Sequence, residues 1–182
     1  MLLGRVKKVI SGLVALSMLT TFAVPSGMAK AADSSELKNP VVSKTETTWD
    51  RVVFGSYYSE VQEKDVPITW RVLNVSGNDA FLISDEILAM KNYNDEAKAV
   101  TWADSSLRSW LNDDFFNYAF TEEERAAVIQ TEIQNNNFDL TQTDYEMTND
   151  YVYLPSYQEM QLKSYGFSNN ILDHESRLAY TN

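Results

Sequence analysis

Three consecutive stretches decide the fold: Ile68-Thr69-Trp70-Arg71-Val72-Leu73-Asn74-Val75, then Ser76-Gly77-Asn78-Asp79, then Ala80-Phe81-Leu82-Ile83. Side chains of an extended chain alternate between two faces, so Ile68, Trp70 and Val72 share one side and Thr69, Arg71 and Leu73 the other. The next four residues are turn formers, and the apolar run 80–83 then returns, which is the pattern of an antiparallel β-hairpin. Upstream, Arg51-Val52-Val53-Phe54 is a short β-branched run ended by Gly55. Downstream the period changes from two to 3.6. Thr101-Trp102-Ala103-Asp104 has the capping-box form, and Leu107, Trp110, Leu111 and Phe115 follow on one helical face. Thr121-Glu122-Glu123-Glu124 repeats the capping signal and opens a helix through Ala126, Ala127 and Ile129. Ser156-Tyr157-Gln158-Glu159 does so again, with Gly166 as its stop. Tyr151-Val152-Tyr153-Leu154 reads as a strand, and the polar stretch Asn135 to Asp150 as a loop. The class is α+β, an antiparallel sheet with packed helices.

The chain around this domain has 182 residues, 26 acidic against 15 Lys and Arg, and a net charge of −11. Its N-terminus is different in kind. Arg5, Lys7 and Lys8 form a basic start, Val9 to Val24 is an apolar run of about 16 residues, and Pro25 and Gly27 break it. Ala29-Lys30-Ala31 then offers the small-x-small pattern of a signal-peptidase site. The run falls short of the roughly 20 residues that span a bilayer, so residues 1–31 read as a cleaved signal peptide rather than an anchor. Residues 32–48, polar and holding Pro40, read as a linker, and 49–182 as the domain. Location is therefore expected to be secreted or cell-surface, with no membrane span after cleavage. Removing 1–31 takes away four basic residues and no acidic one, leaving net −15. Such a charge excludes a nucleic-acid groove, which needs basic patches.

Composition narrows the chemistry further. The absence of cysteine excludes disulfides, thiolate metal sites and Cys nucleophiles. His174 is the sole histidine; Asp173 and Ser176 beside it mimic a triad, but triad members must converge with the imidazole between them, and immediate neighbours point apart. An imidazole zinc site is excluded on the same count. Glu122, Glu123 and Glu124 fall in a first helical turn, where the helix dipole favours negative charge. The Asn74-Val75-Ser76 sequon lies in a strand and is set aside.

Two groups of residues remain as candidates. Asp139, Asp144, Glu146 and Asp150, with Asn135 to Asn137 nearby, offer hard oxygen ligands from one stretch, which fits calcium, although no EF-hand spacing is present. A solvated acidic loop with no cofactor is the competing reading. Trp70 and Trp110 sit in strand and helix patterns and read as core, whereas Tyr57, Tyr58 and Tyr93 flank expected loops and are free to face a ligand.

One ordered series of motifs carries a resemblance. Val53-Phe54-Gly55-Ser56-Tyr57, Ile68 to Leu73, and the block Trp102-Ala103-Asp104-Ser105-Ser106-Leu107-Arg108-Ser109-Trp110-Leu111-Asn112 are followed by Glu123-Glu124-Arg125 and Asp150 to Ser156. Together, over about Thr48 to Asn182, they resemble the bacterial domain of unknown function numbered 6273, found in secreted and surface proteins of Gram-positive bacteria. The resemblance implies no established activity. It implies a C-type-lectin-like architecture, and a chain truncated before the family's W-W-L-R-S-P region, which would leave the sheet incomplete. The expected role is non-catalytic binding of an extracellular glycan, peptide or protein. A carboxylate-based hydrolase and a remnant without independent function are the alternatives.

Overall fold

The computed structural model describes residues 1–7, 37–43, 46–135, 146–169 and 175–180. The elements in chain order are β1 (Leu3–Lys7), β2 (Val41–Val42), β3 (Thr47–Thr48), β4 (Arg51–Ser59), β5 (Lys64–Ser76) and β6 (Asp79–Ser84). A helical stretch follows, made of α1 (Ser106–Trp110), a π turn (Leu111–Phe115) and α2 (Phe116–Ala119). Then come α3 (Glu122–Ala127), β7 (Val128–Ile129), β8 (Thr131–Asn135), β9 (Glu146–Asp150) and β10 (Val152–Tyr153), with short 3₁₀ turns beyond. The class is α+β with antiparallel pairing, as the hydrophobic periods require.

The expected hairpin forms the centre. β5 and β6 pair from Trp70↔Ser84 to Ser76↔Asp79 around a two-residue turn, with Gly77 at φ 56°. The main sheet runs β10-β1-β6-β5-β4, with β7 also paired to β1. The alternation of β5 is used on both faces. Trp70, Val72, Leu82, Phe54 and Val152 pack with Leu111, Phe115 and Phe120 of the helical layer. Leu73, Phe81, Ile83 and Tyr153 pack on the other side with Phe167. At a bulge in β4, Gly55 adopts φ 74°, and a side chain there would come within 2.6 Å of the Phe120 ring, so conformation and space both require glycine. Its amide donates to Glu124 at 2.9 Å.

Helix limits and loop ends differ from expectation, and two N-terminal stretches take part in the fold. The N-terminal start, read as the basic end of a signal peptide, supplies β1, a strand between β6 on one side and β10 and β7 on the other. Leu2, Leu3 and Val6 are buried, and each such side chain contributes roughly 1.5–3 kcal/mol. Residues 8–36, which hold the expected cut after Ala31, lie outside the described residues. The stretch read as a linker is packed from Leu37 onward: Leu37 is buried, β2 pairs with β3, and Asn39 accepts the Val75 amide at 2.6 Å. The first helix is capped by Ser105, whose hydroxyl accepts from Arg108 N at 3.2 Å, and not by Thr101. The third helix stops at Ala127 because Val128 and Ile129, both β-branched, pair with β1 instead. The ends of the polar loop are a hairpin, β8 on β9, while residues 136–145 lie outside the described set. The Ser156–Glu159 box forms, but caps only 3₁₀ turns that end at Gly166, φ 84°.

Candidate functional site

Tyr57 and Tyr58 leave the core at the end of β4, where the β4–β5 hairpin projects beyond the sheet. Tyr57 is anchored among rings, 5.1 Å from Phe115, 5.6 Å from Tyr118 and 6.4 Å from Trp110, the last two edge-on. Edge-to-face pairs of this kind add about 0.5–1.5 kcal/mol each and fix ring orientation. Tyr118 donates its hydroxyl to Asp65 at 2.6 Å, tying the helical layer to β5. Burial raises the Tyr57 pKa, and the Asp65 hydrogen bond raises that of Tyr118, so both phenols stay neutral donors at ordinary pH. Lys91 lies over the Trp110 ring at 4.9 Å.

Of these side chains Tyr57, Trp110 and Lys91 line an open groove of about 540 Å³. Its rim is apolar: Tyr58, Val61, Ile87 and Met90 line it, with Val61 73% and Met90 93% exposed. Glu60, Glu86 and Lys91 supply its charge. Tyr93 is elsewhere. It sits 6.3 Å from Trp102, in a second cavity lined with Arg5, Tyr153, Glu159 and Tyr165, and burial raises its pKa. The three tyrosines therefore do not form one site; Tyr57 and Tyr58 do.

The acidic candidates separate as well. Asp139 and Asp144 lie outside the described residues, and Glu146 is exposed at the start of β9. Asp150 is fully buried, and both its oxygens are taken: Arg108 Nε donates at 2.7 Å, Trp102 Nε1 at 2.8 Å and Thr148 Oγ1 at 2.9 Å. Asn112 completes this junction by bonding the backbone of Tyr151 and Val152. Trp102, Arg108 and Asn112 all belong to the sequence block singled out for its spacing. Among the described residues no group of three or more His, Asp or Glu side chains is arranged to hold a metal. Asp173 and His174 lie outside the described residues, while the Ser176 hydroxyl accepts the Ser168 amide at 3.2 Å.

A further charged cluster lies on β4 and β5, around Asp85. Asp85 binds Arg51 Nε at 2.6 Å and also Arg71 Nε. Burial alone would raise the Asp85 carboxyl, but the hydrogen bonds and charges of the two arginines outweigh it and hold the pKa below the usual value. Arg71 also donates to the Leu178 carbonyl at 2.8 Å and stacks 5.2 Å from the Trp49 ring. The cluster thus fastens the C-terminal segment to the sheet. Its signal in the sequence was an arginine in the middle of an apolar strand.

The block from Trp102 to Asn112 and the Asp150–Val152 segment that it grips both fall within residues 77–181, which match the family model Domain of unknown function (DUF6273). The chain belongs to the DUF6273 family. Neither the curated proteins nor the solved structures contain a match to it. The DUF6273 match spans β6 to β10 and the helical layer, so the Tyr57 side of the groove lies before the matched residues and the Trp110 side within them. No described helix is long and apolar enough to cross a membrane.

Proposed function

We propose that this DUF6273 protein is exported and works outside the cell as a non-catalytic module that binds an apolar, positively charged peptide segment of another protein in the Tyr57–Tyr58 groove. The observation that carries this reading is the exposed apolar rim of Val61 and Met90 over a floor formed by the edge-on rings of Tyr57 and Trp110. A solvated rim that is apolar gains by being covered, and a rigid floor loses little entropy when it is. A glycan subsite would need paired hydrogen-bonding side chains around a flat exposed ring, whereas aliphatic Val61, Ile87 and Met90 accompany Tyr58 on the rim here. Carboxylates at Glu60 and Glu86, on a chain of net charge −11, favour a basic ligand and speed its encounter.

Random-peptide display against the full chain, followed by calorimetric titration of the selected synthetic peptides, tests this. Enriched peptides combining apolar or aromatic residues with Lys or Arg are expected. Tyr58→Ala should weaken their binding by about tenfold or more while leaving the melting temperature in place. Selection of peptides whose affinity ignores Tyr58→Ala, or binding only to an oligosaccharide array, would sink it.

A further inference from the structure

The channel that holds Leu3–Lys7 has walls that are secured without it. β6 is hydrogen-bonded along its other edge to β5. β10 is gripped from its outer side by Asn112, which donates to the Val152 carbonyl at 3.0 Å and accepts the Tyr151 amide at 2.6 Å. β7 continues from α3, whose start is fixed by the capping box of Thr121 and Glu124. Among the described strands, however, β7 and β10 pair with β1 and with no other. All three walls lie within the residues matched by the DUF6273 model, and the strand between them lies outside that match.

The resident strand also underfills its place. Leu2, Gly4 and Val6 face the helical layer, and Gly4 borders an apolar void of about 10 Å³ lined by Phe54, Trp70, Leu82, Phe120 and Val152. A methyl group added at Gly4 would meet only the Tyr151 carbonyl oxygen, at an ordinary 3.5 Å. Residues 8–36 join this strand to Leu37, and the expected cleavage after Ala31 falls inside them. Cleavage there would detach the strand from the sheet that it completes.

We infer that the β6–β10 channel is an acceptor site for an extended strand of a partner polypeptide, and that Leu3–Lys7 is an exchangeable occupant. Main-chain pairing on both sides gives such a site its affinity, and the alternating pockets give its specificity. The fitting pattern follows from Leu2 to Val6: apolar at the first, second and fifth places, small at the third, and unrestricted at the fourth, where Arg5 faces solvent. This channel is separate from the Tyr57 groove, so either site stands if the other fails.

The test uses the full chain with a site-specific protease sequence placed within residues 8–36, folded and then cut. A fluorescent peptide with the sequence of Met1–Lys7 is added and its anisotropy followed. Saturable uptake with release of the N-terminal fragment is expected. A peptide carrying Gly4→Ala should bind about two- to fivefold tighter, because it relieves the cost of glycine in a strand and fills the void. A peptide carrying Leu3→Asp should not bind. The inference is overturned if the fragment leaves and no peptide enters, if the fragment cannot be exchanged, or if Leu3→Asp binds as well. It is overturned equally if the cut protein pairs with its own copies and ignores the peptide, or loses its cooperative melt and takes up none.

Discussion

Asp85 accepts from two arginines at once, and this decides how the molecule should respond to acid. Its folded pKa lies below the ordinary 3.8, so it binds a proton less readily when folded than when unfolded. The stabilisation it contributes is therefore complete above about pH 3.8 and is lost as pH falls through the lower folded value. Asp85→Asn should cost about 2 kcal/mol at pH 7, mostly through the buried Arg71, because Arg51 is 39% exposed and its share is screened by water. Urea midpoints at pH 7 and pH 2.5 check this: the gap between variant and parent should narrow at the acid pH. An unchanged gap would mean that Asp85 is not the titrating anchor. Arg71 was legible as an oddity in an apolar strand. Its partner was not, since Asp85 becomes a neighbour only once β5 and β6 fold back on each other. Asp150 shows the same limit. As one acid among 26 it reads like a ligand, and only burial against Arg108 and Trp102 makes it a structural anchor.

The helical stretch from Ser106 to Ala119 acts as a clamp on β10. The capping and apolar spacing of this stretch were legible because they depend on residues three and four apart. The reason for Trp102, Arg108 and Asn112 at their spacing was not, because their partners lie about 40 residues on. The π turn at Leu111–Phe115 begins directly at this junction, with Asn112 in its first turn. Asn112→Ala would remove the acceptor for the Tyr151 and Val152 amides and a donor to the Val152 carbonyl. Leaving these groups unpaired beside a buried strand should cost about 2–3 kcal/mol. Thermal melts of the full chain measure it, and a loss below about 0.5 kcal/mol would show that water replaces the side chain. Val128 and Ile129 mark where local reading failed, since their helical spacing was sound but pairing with β1 outweighed it.

At the scale of the whole molecule, the seven residues from Met1 to Lys7 carry two meanings. As sequence, apolar and basic residues before a long apolar run read as the start of an export signal. As structure, Leu3–Lys7 form a strand that buries Leu3 on one face, among Leu73, Ile83, Tyr153 and Phe167, and Val6 on the other. Nothing local distinguishes the two, because the pairing partners of β1 lie some 70 to 150 residues away in sequence. The distinction is measurable on the full chain. Leu3 is fully buried, and shortening it to alanine removes apolar contact and leaves a cavity, so Leu3→Ala should cost about 3 kcal/mol. Arg5→Ala, on the same strand but exposed, should cost less than about 1 kcal/mol, the worth of its distant contact with the Phe81 ring. A large gap between the two variants in urea melts would place β1 inside the cooperative unit, since only a seated strand buries Leu3 while leaving Arg5, two places on along the same face, exposed. Equal and negligible effects would mean that the β6–β10 channel is empty or otherwise filled in solution.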